Sequence, residues 1–455
     1  MITQLLAISK NAFVESVRQP ILVVLVLLSG VLQVFNTWNA AYSMADTESS
    51  QVSGDTKLLF DIGLGTIFVI ATLLAGFIAT AVISREIENK TVLTVVSKPI
   101  GRPTLILGKY LGVAGAIMAS VLIMLVFLML ALRHGVMSTR ADQLDGPVIF
   151  FGIGSVFLAI LLSGWCNFFY GWNFPQTVMA FLVPFTLIAY LLVLFFDPRW
   201  RPQPLDHDFK GQIAIASACL ALAVLVLTSV ALAASTRLGQ VMTILVCLGV
   251  FLAALLSNYV LGRHVFSNTI VGEVRDVALD NERGDLELRA GDYLRISLTR
   301  PPQRLVEIGN PLYISPSPNG FPMLNMNDYG RFRGDITDLN AVASSAVPPG
   351  LAVAEVQGTT LRVRRVGPGG PDSLRMVRMP EKGDFAFQEP TRINTPALVA
   401  WGVVPNLQFF WLLDAVSQNR PVPRSYLGLV SLYALCQIGV FLSLSVILFQ
   451  RRDVG

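Results

Sequence analysis

Charge is scarce in this chain. Only 14% of its residues are Asp, Glu, Lys or Arg, against about 25% in an ordinary soluble domain, while 53% are hydrophobic. A water-soluble fold is thereby excluded, because it could not hide that much apolar surface. Cysteine is scarcer still. Cys166, Cys219, Cys247 and Cys436 lie in or at the ends of apolar runs, with neither metal-ligand spacing nor a disulfide framework, and read as packing residues. His134, His207 and His264 are far apart, so the sequence gives no support to a histidine metal site. A phosphate-cradling GxxxxGK[ST] loop is missing as well. In its nearest candidate, Gly101 and Gly108-Lys109 are separated by six residues where four are needed, and Tyr110 replaces the magnesium-binding hydroxyl. The stretch Gly367 to Gly370 has no following Lys and reads as a loop. No His lies near a Ser or Cys nucleophile in sequence, and no carboxylate pair recurs with a clear role, so no catalytic constellation emerges.

Long apolar runs fill the space these absences leave. Roughly 20 apolar residues rising 1.5 Å each cross the hydrocarbon layer as a helix. Runs of that length fall at about 20 to 39, 58 to 83, 104 to 132, 147 to 167, 174 to 195, 211 to 233, 238 to 261 and 426 to 450. The expected fold class is an α-helical polytopic membrane protein with about eight transmembrane helices, seven of them within residues 20–263. Ahead of them, residues 1–19 place Ile2, Leu5, Leu6, Phe13 and Val17 near one face and Lys10, Glu15 and Arg18 away from it, the pattern of an amphipathic interfacial helix or of an extension of the first span. No small-residue cleavage motif follows the first apolar run, so no cleavable signal is expected.

Between residues 264 and 396 the composition turns charged, Gly-rich and Pro-rich. Leu294, Ile296 and Leu298 alternate with Arg295 and Ser297, and Leu361 and Val363 with Arg362 and Arg364, the period of half-buried strands. Asn319-Gly320 is a hairpin signal. An inserted β-rich domain is expected there, followed by an interfacial segment at 397–425 and the last span with its tail at 426–455. Its Arg333-Gly334-Asp335 reads as a chance tripeptide in a turn.

The net charge of +4 comes from Lys and Arg beside apolar runs, which indicates membrane topology and not nucleic acid. Arg85, Lys90, Lys98, Arg102 and Lys109 cluster after the second span, whereas the preceding loop carries Asp46, Glu48 and Asp55. The basic loop is therefore expected in the cytoplasm. With an even number of spans both termini are cytoplasmic, and the inserted domain is extracytoplasmic. Charges of both signs between Asp197 and Lys210 leave the rule nearly silent there. Asp61, near the start of the second span, is a possible intramembrane polar site or a solvated helix end. Gly112 with Gly115, and Gly152 with Gly154, permit close helix packing.

The loop from Ser84 to Gly112 combines mixed charge with two Pro-bounded turns, and spacing alone allows either a docking helix or a solvated loop. At Glu86, Glu88, Lys90, Thr91, Lys98, Pro99, Arg102, Pro103, Gly108 and Lys109 the chain resembles the type-2 exporter permeases of ATP-binding-cassette transporters. The stretches from Ala234 and from Pro405, the latter leading to a terminal FQRRD, look like late parts of the same family. The resemblance implies a permease subunit without its own ATPase site, with segment 84–103 docking on a separate ATPase as a coupling helix. Arg85, Glu86, Glu88, Lys90, Lys98, Pro99, Arg102 and Pro103 would make that contact. It further implies no cofactor on this chain, ATP and Mg in the partner, and a second permease copy or homologue. An additional hairpin and the insertion depart from the usual six-span plan. A non-transporting anchor or mechanotransmitter that reorganises the outer domain is the alternative expectation.

Overall fold

The computed structural model describes residues 2–39, 48–84, 101–137, 144–205, 211–280, 288–302, 304–318, 323, 330–344, 350–367, 379–412 and 424–450. Two compact units emerge, Met1–Leu256 with Val403–Gly455, and Ser257–Gly402.

The first unit is helical. Its elements are α1 (Ile2–Val17), α2 (Pro20–Asn39), α3 (Glu48–Ala79), α4 (Arg102–His134), α5 (Gly154–Tyr170), α6 (Phe174–Phe195), α7 (Gly211–Ser235), α8 (Gln240–Ser257) and α9 (Arg424–Gln450). Eight of the described helices are long and apolar enough to cross a membrane, including Asp55–Ile83 within and beyond α3, Val148–Tyr170 ending in α5, and Gln240–Val265 starting with α8. These match the eight runs in the sequence. Local chemistry sets the ends. Pro20 opens α2, where its missing N–H costs nothing. Gly171, in the left-handed region at φ 66°, closes α5, and the Asn173 side chain accepts the Gln176 N–H at the start of α6. Wider π-helical turns occupy Thr80–Ser84, Val148–Ile153 and Asn258–Gly262.

α3, α4 and α7 are the most buried spans, whereas α5, α8 and α9 leave most of their apolar surface uncovered within the chain. Packing between spans uses small residues, since lipid tails remove the usual hydrophobic drive. A Cβ on Gly63 would meet Leu128 and Gln33, and there Gln33 donates to the Gly63 carbonyl at 3.0 Å. Buried hydroxyls such as Thr72, Ser120, Ser163 and Thr228 return their hydrogen bonds to the carbonyl one turn back.

The N-terminal helix packs on the bundle through its small residues and leaves most of its apolar face uncovered within the chain. Ala12 and Ser16 are buried, while Ile2, Leu6 and Phe13 stay exposed and Val17 is buried. The contact is with α4: a Cβ on Gly108 would strike Ile8, and one on Gly112 would strike the α1 backbone. Gly115 faces Phe13 and Gly152 faces Leu130, but Gly154 has open space. Asp61 lies near the start of the span Asp55–Ile83, as read from the sequence, and is half-buried, although α3 itself begins earlier, at Glu48.

The second unit is a closed antiparallel barrel. Its strands are β1 (Phe266–Ser267), β2 (Ile270–Asp280), β3 (Tyr293–Leu298), β4 (Pro311–Ser315), β5 (Gly350–Gln357), β6 (Thr360–Val366), β7 (Phe385–Phe387) and β8 (Arg392–Ile393). Six close in the order β2-β3-β6-β5-β4-β7, and β1 pairs with β8 separately. Closure pairs each of these six strands on both sides. The alternating residues behave as expected, with Leu294, Ile296, Leu298, Leu361 and Val363 buried in one core and Leu294 opposite Val363. Asn319-Gly320 lies outside the described residues. Asp335 accepts the Thr337 N–H at 2.9 Å and its hydroxyl at 2.7 Å, and these two bonds hold its carboxyl below the ordinary pKa. The tripeptide is thus part of a local turn.

Candidate functional site

Two places in the helical unit gather polar groups, one at each end of the spans. The first surrounds the loop that follows α3. Arg85, Glu86, Glu88, Lys90, Thr91, Lys98 and Pro99 lie outside the described residues; Ser84 and Gly101, which bracket them, are described, as are Arg102 and Pro103. Gly101 sits in extended conformation ahead of α4, with Pro103 in the first turn.

Three cations, two on α4 and one in the turn between α7 and α8, reach carbonyls at helix C-termini, where the aligned peptide dipoles leave partial negative charge. Lys109 is buried, and its ammonium donates to the Val82 carbonyl at 2.9 Å, inside the π-helical turn that ends α3. Arg102 donates to the Gln450 carbonyl at 3.1 Å and Arg237 to that of Leu448 at 2.9 Å, both at the end of α9. Tyr110 donates to the Leu225 carbonyl of α7 at 3.2 Å. The opening turns of α4 are therefore bonded to α3, α7 and α9 and pressed against α1 through Gly108 and Gly112. Substituting Lys109→Met should leave the Val82 carbonyl without its ammonium donor, costing about 1–3 kcal/mol. The check is a thermal unfolding scan of the detergent-solubilised chain; an unchanged midpoint would remove Lys109 from this account.

At the opposite end lies a cavity of about 740 Å³, lined by α4, α6, α7, the start of α9 and Thr56 of α3. Its walls are largely Leu, Val, Ala and Met, such as Leu125, Met129, Leu187 and Ala221, with Tyr190, Ser217 and Ser431 among them. Arg133, in the last turn of α4, brings a guanidinium to this lining. It forms an ion pair with Asp145 at 3.2 Å, the two side chains being 12% and 3% exposed, and donates to the Phe196 carbonyl at 3.1 Å. Asp145 in turn accepts the Val148 N–H at 3.1 Å, capping the π-helical turn that leads into α5. One guanidinium thus ties together the ends of α4, α5 and α6. Asp61 does not line the cavity.

Sequence reasoning singled out neither Arg133 nor Asp145. The available signal was an Asp two residues before Pro147 at a helix start, facing an Arg that ends an apolar run. Among the described residues there is no cluster of three or more His, Cys, Asp or Glu able to hold a metal ion.

A polytopic helical membrane protein with an inserted β-barrel unit is the class these features define. Residues 6–163 match the family model described as ABC-2 family transporter protein, a stretch running from α1 into α5. The match bears out the resemblance read from the loop residues and supports an ABC-2 type transporter permease, a membrane component and not an ATPase, in a family that implies a partnering ATPase subunit. No curated protein and no solved structure matches the chain.

Proposed function

We propose that this chain is the permease subunit of an ATP-driven exporter, in which segment 84–103 receives motion from a separate ATPase and passes it to the spanning helices. The observation that carries this reading is the bonded junction around the loop: Lys109 on the end of α3, and Arg102 with Arg237 on the end of α9. A merely solvated loop has no need of two cations, Arg102 and Lys109, placed on helix C-termini beside its ends, nor of Arg237 on the same end of α9. The loop and both termini then face the cytoplasm, in keeping with its basic residues, and the barrel unit lies on the other side. ATP and Mg belong to the partner, and a second permease copy completes the path. The substrate enters or leaves through the cavity between α4, α6, α7 and α9.

Reversing charge at Glu86, Glu88 and Lys90 together should abolish stimulation of the co-purified ATPase, or lower its association with the chain by about tenfold, a loss of some 1.4 kcal/mol, while membrane insertion is kept. Pull-down followed by ATP-hydrolysis assay reads both quantities, and intact coupling in the triple variant would count against the contact. Full coupling with no transport by the reconstituted complex would instead favour a mechanotransmitter that acts on the barrel unit.

A further inference from the structure

The cavity joins a long apolar wall to the buried Arg133–Asp145 ion pair at one rim. We infer that it is a binding site for an amphiphilic anion, an aliphatic chain ending in a carboxylate or a similar acidic group, with Arg133 receiving the acidic end in competition with Asp145.

Three observations carry this. First, the lining is predominantly aliphatic over several turns of α4, α6 and α7, from Met118 to Arg133 on α4 and from Ile213 to Leu225 on α7. A small inorganic ion would leave those walls empty of contacts, whereas an extended hydrocarbon chain fills them. Second, Arg133 is a lining residue and a member of the ion pair at once. A guanidinium this little exposed is costly to leave without an acid, so a ligand acid that reaches it can pair with it. Its planar fork suits a carboxylate. Third, Asp145 holds Arg133 from the side of the α4–α5 connection and also caps the turn into α5. A ligand carboxylate that takes over Arg133 leaves Asp145 with its cap alone. Occupancy of the cavity would then loosen the tie between α4 and α5 without breaking the Arg133 bond to Phe196 on the α6 side.

The role of this site as a substrate site rests on the permease reading, but the binding itself does not. The test uses the full chain in phosphatidylcholine nanodiscs with two photoactivatable probes of equal length, hexadecanoate and hexadecanol. Hexadecanoate should label peptides of α4, α6 and α7 at concentrations about tenfold below hexadecanol, the preference a charge-assisted bond supplies. Arg133→Gln should remove the preference while leaving hexadecanol labelling in place. Asp145→Asn keeps an oxygen for the Val148 N–H but no longer competes as an anion, so it should raise hexadecanoate labelling several-fold. A purely structural ion pair predicts that both variants lose labelling together, and that outcome overturns the inference, as does equal labelling by the two probes or labelling that maps outside these helices. Should both variants fail to insert, Ala221→Trp decides: filling the cavity must suppress both probes, and undiminished labelling rejects the site. ATPase coupling of the loop variants is read separately, so lost probe discrimination with intact coupling sinks only the anion site, and the converse sinks only the permease reading.

Discussion

Replacing Gly112 by leucine is expected to detach α1 from α4. A Cβ at this position would lie 2.4 Å from the Ser9 carbonyl oxygen, 2.6 Å from the Ala12 Cβ and 2.7 Å from the Phe13 nitrogen. Two of those three atoms are backbone, so no rotamer change can move them aside, and the whole helix must retreat. Retreat forfeits the packing of Ile8, Ala12 and Ser16, which in a bilayer is dispersion and close backbone approach with little hydrophobic drive behind it. A destabilisation of about 2–4 kcal/mol follows, at or above the usual overpacking cost because the clash is with main chain. The direct measurement is maleimide labelling of Ala12→Cys, a position only 2% exposed: protected when Gly112 is present, labelled within minutes when leucine replaces it. Gly154→Ala is the matched control, since nothing lies within 4 Å of its Cβ site, and it should change stability by less than about 0.5 kcal/mol. Equal labelling in the two glycine variants would mean that α1 is not held by this contact.

The same region marks what can be read from residues alone. The eight spans were legible because a bilayer imposes both a length and a composition on each helix, and the spans found at Pro20–Asn39 and Phe174–Phe195 coincide with their apolar runs. The strands Tyr293–Leu298 and Thr360–Val366 were legible for a parallel reason, a buried face that repeats every second residue. Which face of α1 packs was not legible. Ile2, Leu6 and Phe13 were read as the face of an interfacial helix, whereas the fit between α1 and α4 is set by the absent side chains of Gly108 and Gly112, a property of the partner helix. Asp61 was placed near the start of its span, and that span does run from Asp55, but the extension of the helix back to Glu48 was not legible, because polar residues carry no span signal. Arg133 and Asp145 meet across a connection of eleven residues, a pairing that no local pattern announces. Closure of six strands into a barrel is likewise a non-local event, decided by the return of β7 to β2 and β4.

Arg364 gives the largest effect expected in the barrel unit. By register it stands opposite Tyr293 on the face that alternation assigns to solvent, yet it is only 5% exposed. Its Nε donates to the Gly291 carbonyl at 2.7 Å and its Nη1 to the Ile336 carbonyl at 2.5 Å, while the guanidinium lies 4.6 Å from the Tyr293 ring centre. One side chain thus fastens the turn before β3 and the segment after Phe332 onto β6, supplying donors that neither segment has of its own. Arg364→Met keeps the aliphatic stem but strands both carbonyls, at about 1–3 kcal/mol each, so a loss of about 4 kcal/mol is expected. Arg362→Met, two residues away, removes a half-exposed ion pair with Asp280 and the Tyr293 contact, and should cost about 1 kcal/mol or less. Hydrogen exchange at the β3 and β6 amides of the full chain measures the contrast: protection should fall by roughly a thousandfold for Arg364→Met and by less than about tenfold for Arg362→Met. Arg364→Lys should recover only part of the difference, since a single ammonium cannot span both carbonyls as the planar fork does. Equal loss of protection in the Arg362 and Arg364 variants would show that the cation–π pair with Tyr293, common to both, holds this face together and that the two carbonyl bonds do not.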